Sequence, residues 1–247
     1  PLGTPVLSAF LKKNKMACSQ IDMNLGYREY LAAHVGAEAP LTREERIFFL
    51  EPLLRKFFAG NMQGRYYAAL LPREGDGIFP HIPYGNNTNS SFYFTERLMA
   101  SEQLFRYLED KDENWFLRFY EESGFSNTLE KEDVGLVGIS VTSPSQAIAS
   151  LTLGLFVKKR FPLLHVTIGG QWATLYRDAI LRKKELFRCF DSVIVFEGES
   201  ALCELAQRLE VRKDISSIPN VMTSELVSFA AEARREENMD LLPCPDF

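Results

Sequence analysis

Between Gly135 and Glu199 the hydrophobic pattern alternates between two periods. Short apolar runs of strand length, Leu136 to Val141, His165 to Ile168 and Asp191 to Val195, are separated by longer amphipathic runs at helical spacing. The first run is rich in β-branched residues, as in a parallel strand covered on both faces. Each run ends in a small or polar loop: Ser143-Pro144-Ser145-Gln146, Gly169-Gly170 and Glu197-Gly198-Glu199. Repeated strand–loop–helix units joined by right-handed crossovers gather their strand ends on one edge of a sheet, which is where such sheets bind ligands.

The helices have readable ends and faces. Ser143 at the cap, Pro144 at the first helical position and Gln146 three residues after the cap form a capping box. The run that follows presents Ile148, Leu151, Leu155 and Phe156 to the sheet and closes on Lys158-Lys159-Arg160. Leu175, Tyr176, Ile180 and Leu181 are expected to face the core from the second helix, and Leu202, Leu205, Ala206 and Leu209 from the third. Two glycines after the second strand permit positive φ and leave room for direct ligand contact with the backbone; a tight turn alone accounts for them equally well.

Upstream, Thr4 and Pro5 suit an N-cap and first helical position, and Val6, Leu7, Phe10 and Leu11 form the stripe of a short helix ending at Lys12 and Lys13. Met16 to Met23 reads as a strand closing on Asp22. From residue 25 to 132 the pattern becomes mainly helical, with helices at Tyr27 to Ala33, Arg43 to Phe58, Thr95 to Leu108 and Glu113 to Glu122 and an irregular piece from Pro72 to Ser91. Its many rings, from Phe57 to Tyr120, read as the core of a helical subdomain, with a substrate surface as the competing reading. The fold expected is α/β: a flavodoxin-like or Rossmann-like parallel sheet with flanking helices, formed by residues 1–24 and 133–223, with a large helical insertion at 25–132 and a linker at 224–247. In the strand order 2-1-3-4-5 the first, central strand is missing from the chain, so either a strand upstream of Pro1 or some other element is expected to fill its slot.

Composition narrows the function classes. With 247 residues, 46% of them hydrophobic, the chain can bury a full core. A net charge of -5 and a pI near 5.4 give no broad positive field for nucleic acid or anionic lipid. No apolar run has membrane-spanning length, and no secretion signal opens the sequence. Cys18, Cys189, Cys203 and Cys244 lie too far apart for a Cys-x-x-Cys site or a small disulfide scaffold, which makes a reducing cytoplasm the expected setting.

The series VGISVTSPSQ, KKRFPLLHVTIGGQWAT, FDSVIVFEGESALCELAQRL, IPNV and LLPCPDF, together with PLGTPVLSAFLKKN and QIDMN near the start, resembles the N-terminal cobalamin-binding domain of cobalamin-dependent radical S-adenosylmethionine enzymes. The resemblance covers Pro1 to Asn24 and Gly135 to Phe247. It implies a cobalamin site whose nucleotide tail and corrin edge meet Leu2 and Gly3 in the first loop, then Ser140, Thr142, Ser143 and Gln146, then Gly169, Gly170, Gln171 and Trp172, then Glu197, Gly198 and Glu199. No residue is assigned a catalytic role. For the parent protein it implies methyl transfer, or peptide or natural-product maturation, with the cofactor carrying the chemistry.

Two departures qualify this. Asp-x-His-x-x-Gly, which supplies a histidine to cobalt in some cobalamin domains, does not occur, and His34, His81 and His165 lie outside any such loop. His165 is expected to be packed or hydrogen-bonded within its strand. Cys-x-x-x-Cys-x-x-Cys, needed for a [4Fe-4S] cluster that binds S-adenosylmethionine, is also absent, so both belong to a domain expected downstream of Phe247. Two other classes stay open: a nucleotide-binding Rossmann-like module with Asp22 on a ribose hydroxyl, and a non-catalytic interaction domain with a degenerate site.

Overall fold

The computed structural model describes residues 3–34, 103–111, 114–142, 146–226 and 242–246. The chain forms two compact units, one of Pro1–Ile21 with Thr128–Phe247, the other of Asp22–Asn127. The expected helix at Arg43 to Phe58, the irregular piece at Pro72 to Ser91 and His81 all lie outside the described residues, as do Leu2 and Ser143.

In the second unit the chain enters helix α2 (Met23–His34) through Asp22, whose Oδ1 accepts the N–H groups of Asn24 and Leu25 at 3.0 and 3.1 Å. Two further helices, α3 (Gln103–Glu109) and α4 (Trp115–Glu122), meet at Asn114. This buried side chain caps α4 by accepting from Phe116 and Leu117, and its amide donates to the last carbonyls of α3, Tyr107 and Leu108. One residue thereby satisfies orphan groups of two helix ends. Phe116, Phe119 and Tyr120 are buried, and Tyr27 packs on Phe116 at 4.4 Å and on Phe119 at 5.5 Å, a shared aromatic core within this unit. Helix α5 (Phe125–Lys131), which the pattern did not mark, spans the boundary between the units.

The first unit holds the sheet. Its strands β1 (Leu136–Ser140), β2 (His165–Gly169), β3 (Ser192–Ile194) and β4 (Val221–Thr223) lie in sequence order. The first three are parallel, as expected; β4 returns antiparallel on β3, which corrects the all-parallel reading. Helices α6 (Ala147–Arg160) and α7 (Gln171–Arg182) carry the parallel crossovers, and α8 (Glu199–Glu210) precedes β4. Crossovers of one hand that advance in one direction place α6 and α7 on the same side of the sheet.

Strand alternation gives the sheet two unlike faces. Val137, Val166, Ile168 and Val193 form the aliphatic face under α6 and α7. The other face presents Gly138, Thr167 and Ser192 in one row and Ser140, Gly169 and Ile194 in the next. On the β3–β4 side it is covered by Ala201 and Leu205 of α8, clustered with Ile194, Ile218 and Val221. On β1, Gly138 and Ser140 are exposed, so the expectation of a strand covered on both faces fails there. Among the described residues β1 pairs only with β2.

Other expectations shift. Helix α1 (Gly3–Lys13) begins one residue before Thr4 and buries Ser8 and Ala9, leaving Val6, Leu7, Phe10 and Leu11 half-covered. It packs on α8. It stops in a Schellman turn: Met16 N–H reaches Leu11 O, Lys15 N–H reaches Lys12 O, and Lys15 takes φ 63°. Beyond that turn Met16 to Asp22 forms no strand; Ala17, Ser19, Gln20 and Ile21 are exposed and bring no apolar face to a sheet. Helix α6 is buried on nearly all sides from Ala147 to Val157 rather than along one stripe. In α7, Tyr176, Ile180 and Leu181 are buried as expected, with Trp172 and Ala173, but Leu175 is 64% exposed. Among the described residues no helix is long and apolar enough to cross a membrane.

Candidate functional site

The carboxyl ends of β1, β2 and β3, with the first turns of α6, α7 and α8, bring together most of the described candidate residues. Ser140 ends β1 on the open face, opposite Gly169 in register. Thr142 is exposed; its N–H and its hydroxyl both donate to Gln146 Oε1, at 2.9 and 3.0 Å. Gln171 is exposed at the first position of α7, and Glu197 to Glu199 lead into α8. Gly3 is apart from these loops in sequence and is the exposed first residue of α1.

The glycines divide into frame and surface. Gly170 has φ 97°, and a Cβ there would stand 2.5 Å from Val141 O. The close approach is to the chain's own backbone: Val141 N–H bonds Gly169 O at 2.8 Å, and Val141 O accepts Trp172 N–H at 3.1 Å. Gly170 therefore serves the joint between the ends of β1 and β2. A Cβ at Gly138 would meet only Thr167 Cγ2, at 3.9 Å, and one at Gly198 would make ordinary contacts with Leu7 and Ile194. Gly138 and Ser140 form a low shelf on the open face of the sheet.

Trp172 is fully buried, with its ring 5.6 Å from that of Tyr176. Its bulk belongs to the core, while its Nε1 has no hydrogen-bond partner among the described residues. The same holds for Glu199 Oε2, which is covered at the first turn of α8. The N-cap positions of α7 and α8 are Gly170 and Gly198, which carry no side chain to cap with, in contrast to Asn114 of α4. The N-terminal ends of α7 and α8 carry partial positive charge toward the edge.

Sequence reasoning passed over the residues that shape the rim. Phe196, directly after the third strand's apolar run, has φ 60° and is 37% exposed. Its N–H donates to Thr174 Oγ1 at 2.8 Å, while that hydroxyl donates to Gly170 O at 3.2 Å. Arg177 donates from Nη1 to Thr174 O at 3.0 Å and lies 5.4 Å from the centre of the Phe196 ring. On the other side of the loop, Asn220 accepts Val195 N–H through its backbone carbonyl and donates from its side chain to Glu197 O. An aromatic at the end of a strand, one residue before Glu-Gly-Glu, was the available signal.

His165 lies at the other end of β2, four residues from Gly169 and so about 13 Å away along the strand. Its Nε2 is 2.8 Å from Ser192 Oγ, which donates to Thr167 Oγ1 at 3.0 Å. Burial holds its imidazole below the usual histidine range, with Asp191 raising and Lys158 lowering it to lesser degrees. The expectation of a hydrogen-bonded strand histidine holds. Asp22, the acid of the nucleotide reading, caps α2 and follows no strand.

Among the described residues no group of three or more His, Cys, Asp or Glu side chains could hold a metal ion. None of the four cysteines forms a disulfide; Cys189 and Cys203 are buried. The last described residues of the expected linker return to α1: Asp246 N–H bonds Pro5 O at 3.0 Å, and its carboxylate meets Ser8 and Lys12. The Lys12 ammonium and the Ser8 hydroxyl hold that carboxyl below its ordinary range. Comparison of the chain with protein-family models, with curated proteins and with solved structures gives no match.

Proposed function

We propose that the carboxyl edge of this sheet binds cobalamin, and that the chain is the cofactor-holding part of a cobalamin-dependent radical S-adenosylmethionine enzyme. The reading rests on the sequence resemblance. The structural observation that favours it most is the open shelf of Gly138 and Ser140 on β1, together with the glycine starts of α7 and α8. Small side chains leave room for a flat group against the sheet, and helix N-termini suit phosphate.

The fit is selective. In this reading Ser140, Thr142, Gly169, Gln171 and the backbone of Glu197 to Glu199 would meet the nucleotide tail. Gly170 and the Trp172 ring serve the fold, which narrows the set that the resemblance implied. The covered, unpartnered Trp172 Nε1 and Glu199 Oε2 are a donor and an acceptor that a ligand could satisfy. When bound, cobalamin would supply methyl-transfer chemistry; these side chains would hold and orient it. His165, at the far end of β2, is not positioned to reach a group at this edge, and no described histidine side chain is assigned to cobalt.

The test is uptake of hydroxocobalamin by the purified chain, read as corrin absorbance retained through desalting and as a titration against ATP as competitor. Near-stoichiometric retention unaffected by ATP supports the reading. Loss of all corrin on desalting, with no saturable titration, overturns it. Saturable ATP binding without corrin uptake would transfer the edge to the nucleotide-binding alternative.

A further inference from the structure

Phe196 combines three properties that packing alone does not require. A bulky aromatic residue at φ 60° is a backbone outlier, since only glycine and, less readily, asparagine or aspartate enter the left-handed region at low cost. Such strain persists only where neighbours impose it. Here they do: Thr174 Oγ1 holds the Phe196 N–H, Gly170 O holds the Thr174 hydroxyl, and the Arg177 guanidinium stands by the ring. The result keeps a large apolar side chain 37% exposed at the mouth of the candidate site. Each of these contacts comes from the first turns of α7, on the strand end next to that of β3.

We propose that Phe196, backed by Arg177, is a stacking platform for the flat conjugated ring of the ligand held at this edge, and so determines ligand specificity. It rests on the reading that the edge binds a ligand with such a ring, whether a corrin with its nucleotide or a nucleotide alone. Arg177 polarises one side of the ring and fixes its plane through the bond to Thr174 O; the ligand takes the solvent side. A ring held in place before binding loses little freedom when the ligand arrives.

Hydroxocobalamin and ATP are titrated into the full chain, its Phe196→Gly and Phe196→Trp variants and Arg177→Ala, with thermal midpoints measured in parallel. Glycine relieves the left-handed strain, so Phe196→Gly is expected to keep or raise the midpoint while losing about tenfold or more in affinity for whichever probe binds. Phe196→Trp is expected to retain affinity, and Arg177→Ala to lose several-fold. Equal affinity in Phe196→Gly and wild type overturns the platform and leaves the cobalamin reading standing. A wild type that binds ATP alone, weakened by Phe196→Gly, overturns the cobalamin reading and supports the platform. A wild type that binds neither probe overturns both.

Discussion

The two ends of the β1–β3 sheet differ in how completely their polar groups are used. At the amino end Lys158 bonds Asp191 Oδ1, Val166 N–H takes Asp191 Oδ2, and Ser192 joins His165 to Thr167. At the carboxyl end α7 and α8 start at glycines without side-chain caps, Trp172 Nε1 and Glu199 Oε2 have no partner among the described residues, and Phe196 sits in a strained conformation. The chain and the sheet are the same, so general stability does not explain the contrast. A satisfied network lowers the energy of the fold; an unsatisfied edge keeps interactions in reserve for something else.

Some of the carboxyl edge nevertheless belongs to the frame, and Gly170→Val tests that most severely. The added side chain would enter a space occupied by Val141 O and would hold a β-branched residue at φ 97°. A loss of about 3 kcal/mol in stability is expected, read from the urea midpoint. A variant as stable as wild type would mean that the glycine was reserved for a ligand after all.

Asp191→Ala probes the other end. It removes the acceptor shared by the Lys158 ammonium and the Val166 amide, leaving two partly covered donors unpaired. Both side chains are less than one-third exposed, and the expected cost is about 2 kcal/mol with ligand affinity unchanged. If affinity fell as well, the two ends would not be separable.

The amino end also carries a pH signature. His165 has its folded pKa below the ordinary 6.5, mainly because burial disfavours the charged ring. Between the folded value and 6.5 the unfolded chain binds a proton that the folded chain does not, so the contribution to stability is complete above 6.5 and declines as pH falls below it. Urea midpoints measured downward from pH 7.5 should therefore drop, with a shallower slope in His165→Gln. An identical slope in that variant would assign the decline to other groups.

What the sequence made legible follows the strength of local signals. The first three strands were placed within two residues at either end because Val137, Ile139, Val166, Ile168, Val193 and Ile194 form short, dense apolar runs between glycine and polar breaks. The candidate site was argued from strand order, which the parallel β1–β3 arrangement matches. Hidden were features decided by tertiary contact or by residues that break local preference. Met16 to Met23 reads as a strand from its apolar positions, but Ala17, Ser19, Gln20 and Ile21 are exposed and Met23 opens α2. β4 is only three residues long, too short for a period. Gly170 is explained by Val141, 29 positions earlier, and Phe196 carried no glycine or asparagine to announce its left-handed turn.

The smallest effect is expected from Thr174, and it separates positioning from packing. Its hydroxyl joins α7 to the loop after β3, accepting from Phe196 N–H and donating to Gly170 O, which Thr174 N–H already satisfies at 3.1 Å. Thr174→Val keeps the shape, so stability should fall by only about 1 kcal/mol. The loop would then be free to leave φ 60°, and the ring its exposed plane, so affinity should fall by about threefold, less than in Phe196→Gly. Thr174→Ser restores the hydroxyl and should recover that affinity even if it recovers little stability. Affinity that follows side-chain volume, with serine weaker than valine, would return Thr174 to the core and leave Phe196 without its clamp.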